Sequence, residues 1–176
     1  MNVGKEFEQD YKKSVPDDIL LYRLKDSAQS FNGRKNGKIR FSSKSPFDYI
    51  MWDSQAKILY ALELKTVKGK SISFERTKDD KREIHYHQIQ NLNEWAKFDV
   101  ESGLVIEFRQ IATTIYLPIG EYNKLIGLID KCSFNYDDIV NNVQYLIIPQ
   151  MLKRTRYCYD IGYFVRAIRK KRSVQK

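Results

Sequence analysis

Cysteine is nearly missing from this chain: Cys132 and Cys158 are the two in 176 residues, and no motif spacing joins them. A disulfide scaffold and a cysteine-ligated zinc module are thereby excluded, and both residues read as reduced structural thiols. Proline and glycine are sparse as well, four and eight in all, and no linker or low-complexity block interrupts the chain. The scattered glycines form no phosphate-cradling loop, and no serine sits in a nucleophile-elbow context. Long apolar runs are absent. None approaches the ~20 residues that cross a bilayer, and the acidic opening MNVGKEFEQD is not a signal peptide. A cytoplasmic protein without membrane association is expected. Histidine occurs twice, at His85 and His87; on one helix, alternate residues point ~200° apart and cannot grip one zinc ion together.

What is present is a foldable core and an excess of positive charge. An apolar fraction of 42%, with 13% aromatic residues, describes a globular chain of one-domain size. The reading is a single domain over residues 1–165 followed by a basic tail over 166–176. The 31 Lys and Arg outnumber the 22 Asp and Glu, for a net charge of +9. Arg166, Arg169, Lys170, Lys171, Arg172 and Lys176 face no acid in the tail. A second basic stretch holds Lys25, Arg34, Lys35, Lys38, Arg40 and Lys44, opposed by Asp26 alone, and Lys68 and Lys70 add to the charge further on. Such segments attract a polyanion by counterion release, nucleic acid before an anionic membrane. A solvated, solubilising tail accounts for the same charge equally well.

Val3, Phe7 and Tyr11 recur at helical spacing after a possible Asn2 cap and before Pro16, which predicts a helix from Gly4 to Ser14 with Glu8 bordering its apolar stripe. Ile19 to Leu24 reads as a buried strand. Asn32-Gly33 and Asn36-Gly37 mark turns in the polar loop that follows. Phe47 to Asp53 and Ile58 to Lys65 predict an antiparallel hairpin closed by Ser54 to Lys57. Alternation then puts Glu63 and Lys65 on one face of their strand, and the register that pairs Asp53 with Ile58 sets Asp48 opposite Glu63. A slip of one residue would separate the two carboxylates.

Further on, Ile89, Leu92, Trp95 and Ala96 mark a helix from Arg82 to Phe98, with His85 and Gln88 on the same side. Strands are expected at Leu104 to Phe108 and Thr113 to Leu117, a helix at Tyr122 to Ile129, and a final strand at Val143 to Ile148. Ile161, Phe164, Val165 and Ile168 predict a last amphipathic helix running into the basic tail. The fold class is α/β (α+β), a mixed sheet flanked by helices. Asp79-Asp80 and Asp137-Asp138 read as turn and helix-start acids. Tyr22, Tyr49 and Tyr60 read as core. Of Tyr157, Tyr159, Tyr163 and Phe164, near Arg154 and Arg156, at least half should pack in the core rather than stack on unpaired bases.

Phosphodiester hydrolysis needs a cation to polarise the phosphate and activate water, and hard Mg²⁺ is held by converging carboxylates. Asp48 and Glu63 are a candidate pair. A lysine two residues beyond the glutamate, here Lys65, can orient water or offset charge on the phosphorane. Taken alone, the same pattern also describes an exposed polar face on an edge hairpin.

The four segments Gly4-Lys5-Glu6-Phe7-Glu8, Ser45-Pro46-Phe47-Asp48-Tyr49, Glu63-Leu64-Lys65-Thr66 and His87-Gln88-Ile89 together resemble the PD-(D/E)XK nuclease superfamily. Within it they are most similar to the RecU-type Holliday junction resolvases, including the short versions carried by phages of Gram-positive bacteria. The resemblance spans roughly Gly4 to Glu94. It implies a restriction-endonuclease-like fold and Mg²⁺, with Mn²⁺ as a substitute, bound by Glu8, Asp48 and Glu63. It further implies that Lys65 and Gln88 assist catalysis and that Arg23 or Lys25 contacts the scissile region. DNA contacts would extend over Arg34, Lys35, Lys38, Arg40, Lys68, Lys70, Arg169, Lys170, Lys171 and Arg172. The implied activity is endonucleolytic resolution of branched DNA by a homodimer, in a bacterial or phage-infected cell. This sequence departs from the larger resolvases by Pro46-Phe47, where they carry a threonine beside the aspartate, and by a short basic segment, Lys25 to Ser45, where they insert a stalk. Cleavage of flaps, single strands or damaged duplex by the same fold, or DNA binding without cleavage, are the other readings.

Overall fold

The computed structural model describes residues 3–25 and 44–174. In chain order the elements are α1 (Val3–Ser14), β1 (Ile19–Arg23), β2 (Tyr49–Asp53), β3 (Ile58–Val67), β4 (Ser71–Ser73), α2 (Tyr86–Ala96), β5 (Glu101–Phe108) and β6 (Thr113–Pro118). They continue with α3 (Ile119–Leu128), β7 (Ser133–Asn135), α4 (Tyr136–Asn142), β8 (Leu146–Ile148), β9 (Gln150–Lys153), β10 (Arg156–Tyr159) and α5 (Ile161–Val174). A six-stranded sheet runs in the order β1-β2-β3-β5-β6-β8. Its one parallel pair is β3 with β5, and the chain between them passes through α2, as a parallel connection requires a crossover. Mixed sheet and flanking helices are the expected fold class.

The β2–β3 hairpin has the register that alternation demanded. Asp53 pairs with Ile58 and Tyr49 with Leu62. Its loop is built locally: Oδ1 of Asp53 accepts the N–H groups of Gln55 and Ala56 at 3.0 and 3.2 Å, and Lys57 adopts φ 58° to re-enter the sheet. Because strand side chains alternate, β3 serves two cores. Ile58, Tyr60, Leu62 and Leu64 face α1 and α5, among Phe7, Tyr11, Tyr159 and Phe164. Ala61 and Val67 face the other side, with Ile89, Leu92, Tyr122 and Leu125 from α2 and α3. Glu63 and Lys65 project from this second face.

Several expectations change. The first strand forms but is an edge strand, with Leu20 63% and Tyr22 61% exposed, so neither a buried strand nor a core Tyr22 is correct. Tyr49 and Tyr60 are core, as are Tyr159 and Phe164. The helix expected from Arg82 starts only at Tyr86. Val143 to Ile148 shortens to Leu146–Ile148 and is not the last strand, since the β9–β10 hairpin follows. The short β4, β7 and α4 were not anticipated. Their lengths are too small for a periodicity to register. Asp80 accepts from the N–H groups of Arg76 and Thr77, and Asp138 caps α4 with Asn135, so these acids do serve turns and helix starts. Both cysteines are free. The turns at Asn32-Gly33 and Asn36-Gly37, and the Asn2 cap, lie outside the described residues.

Candidate active site

Past the end of β1, at the start of β2 and beside the middle of β3, a cleft of about 600 Å³ opens, lined by Glu8, Arg23, Lys25, Lys44, Asp48, Glu63, Lys65, His85, His87 and Gln88. Asp48 lies just before β2, at the position that continues the hairpin register to Glu63. Three contacts hold it there. Its carbonyl accepts the N–H of Leu24 at 2.8 Å, its Oδ2 accepts the N–H of Leu64 at 2.9 Å, and the ring of the preceding Phe47 packs edge-on against Trp95 of α2. The sequence-predicted juxtaposition of Asp48 and Glu63 is present.

Glu63 is 1% exposed. Its Oε1 accepts from Lys65 Nζ at 2.9 Å and Gln88 Nε2 at 2.6 Å, while its Oε2 is buried without a hydrogen-bond partner. Burial pushes the carboxyl up to about 8. The ammonium of Lys65 opposes that rise, and the neighbouring carboxylate of Asp48 adds to it. Burial likewise raises Asp48, against the Leu64 amide and the charges of Lys65 and Arg23. Two carboxyl groups that cannot both ionise cheaply have thus been gathered at one spot. Hard oxygen donors of this kind suit a divalent cation.

Glu8 reaches the same cleft from α1, but its Oε2 is taken by Arg23 Nη2 at 2.7 Å. Its carboxyl is raised by burial despite Arg23, and Asp48 contributes to the rise. Glu8, Asp48 and Glu63 therefore share one pocket, but among the described residues no three His, Cys, Asp or Glu side chains are arranged to hold a metal ion. Lys65 and Gln88 are in contact: Lys65 Nζ donates to Gln88 Oε1 at 3.1 Å. The same oxygen accepts the backbone N–H of His85 at 3.2 Å. With two donors on its oxygen and a carboxylate on its nitrogen, the Gln88 amide has a single orientation that satisfies all its partners.

His85 and His87 do not lie on one helix as expected. His85 precedes α2 in extended conformation, φ −84° and ψ 140°, and its ring stacks on that of His87 at 5.6 Å. Both rings line the cleft. Lys44, part of the basic stretch noted in the sequence, lines the cleft as well, and sequence reasoning missed Glu75, whose carboxylate holds His85. Only the true start of α2, at Tyr86 rather than Arg82, could have revealed Glu75.

The basic residues divide into groups. Arg23 and Lys25 line the cleft together. Arg34, Lys35, Lys38 and Arg40 lie outside the described residues. Lys68 and Lys70 are exposed beyond the end of β3. Arg169 and Arg172, expected at the DNA, are instead paired within the chain. Arg169 donates to both oxygens of the buried Asp53 at 2.6 and 2.8 Å, and Arg172 pairs with Glu101 and Asp99. Lys170 and Lys171 are exposed. This end of α5 borders the start of β3, ~16 Å along the strand from Glu63 and on the opposite sheet face. Burial would raise Asp53, but the Arg169 guanidinium and the Ala56 amide hold it below the usual carboxylate range. A lowered carboxyl stabilises the fold above its ordinary range and loses that contribution as pH falls. Arg169→Ala should therefore cost about 2–3 kcal/mol at pH 7. Urea unfolding at pH 7 and pH 3 checks this, and the difference from the parent protein should shrink at the lower pH.

No protein-family profile matches the chain. The SPbeta prophage-derived uncharacterized protein YotM of Bacillus subtilis (strain 168) is 29% identical over 174 residues, covering 97% of this chain and 80% of that protein. Among solved structures, Hjc of Archaeoglobus fulgidus, a Holliday junction resolvase from an archaeal hyperthermophile, superposes with a TM-score of 0.46 at 14% identity. The superposition covers 80% of this chain and 95% of Hjc. No helix among the described residues is long and apolar enough to cross a membrane.

Proposed function

We propose that the chain is a divalent-metal-dependent endodeoxyribonuclease acting on branched DNA, with a four-way junction as its substrate. The observation that carries this reading is the meeting of Asp48 and Glu63, with one oxygen of Glu63 buried and free of protein donors while Lys65 and Gln88 hold the other. Asp48 and Glu63 are the residues that would hold Mg²⁺, or Mn²⁺ in its place. Such a cation polarises the scissile phosphate and lowers the pKa of water when bound. Lys65 supplies a fixed ammonium beside the carboxylates, where it orients the attacking water and offsets charge on the phosphorane. Gln88 keeps that ammonium and Glu63 in place. Arg23 is half-exposed at the cleft mouth; by turning to a DNA phosphate it would release Glu8 as a third acidic ligand. Lys25 and Lys44 extend the positive rim that a polyanion meets. Paired nicks in a junction require two clefts, which a homodimer provides.

The test is incubation with a synthetic four-way junction, a flap and a linear duplex, in Mg²⁺ and in chelator. Symmetric nicks in the junction alone are expected. Cleavage of the flap or duplex instead would keep the nuclease and discard the junction. Asp48→Ala should retain junction affinity while turnover falls by orders of magnitude. If the unaltered protein binds DNA but cuts nothing in Mg²⁺ or in Mn²⁺ put in its place, it is a binding protein, and the nuclease reading fails.

A further inference from the structure

Glu75 lies outside the cleft, is 9% exposed, and has both carboxylate oxygens engaged. Oε1 meets His85 Nδ1 at 2.8 Å and accepts the N–H of Arg82 at 3.2 Å; Oε2 accepts the N–H of Tyr86 at 2.7 Å. Burial works to raise its pKa, but the hydrogen bonds from His85, Tyr86 and Arg82 hold it down to about 2, so it is a carboxylate throughout the neutral range. Tyr86 is the first residue of α2, a helix with no acid in its first turn and a histidine at its N-cap. Glu75 thus supplies, from a different segment, the negative cap that α2 lacks.

Its neighbours in the chain are anchored on both sides. Phe74 is fully buried against Tyr122 and Phe134, and it bridges Ile84. On the other side, Arg76 donates to the carbonyls of Ile126, Ile129 and Lys131 at the end of α3. One turn into α2 stands Gln88, whose Oε1 returns to the N–H of His85 and whose Nε2 donates to Glu63. A continuous chain of hydrogen bonds therefore runs from Glu75 through His85 and Gln88 to the catalytic candidates Glu63 and Lys65.

We propose that Glu75 is a positioning residue of the cleft: by capping α2 from outside, it sets the carboxamide of Gln88 that orients Glu63 and Lys65. The claim rests on the nuclease reading for its kinetic consequence, but not for its structural one. Glu75→Gln should lower kcat roughly 10–100-fold with little change in KM, the size seen when an outer partner of a metal ligand is lost. Gln88→Ala should do the same. Because the two residues act through one contact, Glu75→Gln combined with Gln88→Ala should be no slower than Gln88→Ala alone. Glu75→Asp, which keeps the charge at shorter reach, should recover part of the rate. Independently of cleavage, the side-chain NH₂ resonances of Gln88 in ¹⁵N spectra should be shifted and slow to exchange in the unaltered protein, and move toward solvent-like positions in Glu75→Gln. Multiplying rate losses, or Gln88 resonances that Glu75→Gln leaves unmoved, would overturn the proposal. Should the unaltered protein cut no DNA, the nuclease reading falls by itself, and the Gln88 resonances alone decide the role of Glu75.

Discussion

Glu63→Gln should lose cleavage by about three orders of magnitude or more, ~4 kcal/mol of transition-state stabilisation, and yet give a metal-free protein that melts higher at pH 8. The opposite signs follow from one cause. Glu63 is the most buried of the cleft's acids, and its unpartnered Oε2 sits beside Asp48. Ionising it there costs desolvation and repulsion that Lys65 only partly offsets. An amide of the same shape keeps an oxygen for Lys65 and Gln88 and offers N–H donors toward Asp48, so the folded state gains where the carboxylate suffered. The same change removes the anionic oxygens that a divalent cation requires. Cleavage of a labelled junction and a thermal melt in chelator measure both halves. A variant that melts lower at pH 8, or still cuts at the parental rate, contradicts this account.

The second large effect is the pH dependence of the metal-free fold. A carboxyl raised to about 8 keeps its proton in the folded state over a range where the unfolded chain has lost it. The corresponding stability is complete below the ordinary glutamate pKa, declines as pH rises from there, and is gone above pH 8. For a shift of this size the decline amounts to about 5 kcal/mol at most. Asp48, Glu8 and Glu107 are raised by burial as well and pull the same way. Glu75, Asp53 and Asp138 are held low by their hydrogen-bonding partners and act in the opposite sense, losing their contribution as the medium turns acid. The metal-free protein should thus be most stable near pH 5 and weaken toward pH 8, where added Mg²⁺ restores it by binding the ionised pair. Melts across this range, with and without Mg²⁺, test the claim. Stability that is flat or rising from pH 5 to 8 in chelator would sink it.

Part of this was legible in the sequence. The β2–β3 hairpin was, down to its register, because a four-residue loop and a strict two-residue alternation leave one pairing that buries Tyr49, Met51, Tyr60 and Leu62 together. That register alone brings Asp48 to Glu63 and puts Lys65 on the same face. Helix α1 was legible from its apolar spacing, and Gln88 from the resemblance. The edge position of β1 was not, since a strand of Ile, Leu and Tyr reads the same whether or not a neighbour covers it. Nor was the start of α2 or the pairing of Arg169 with Asp53, 116 residues apart in the chain.

The division has a physical basis. Alternation, turn chemistry and helical period act between near neighbours, so the amino-acid order determined the carboxylate pair, the lysine beside it and the helix carrying Glu8. Charge carries no such local rule: a basic residue can serve a distant partner in the same chain or a ligand outside it. Only the packing of α5 on the sheet consumed Arg169 and Arg172 inside the molecule, and only the fold of the segment after β4 brought Glu75 under the first turn of α2. Burial, too, is a tertiary property, and it turned Glu63 from an ordinary acid into one that holds its proton near neutrality.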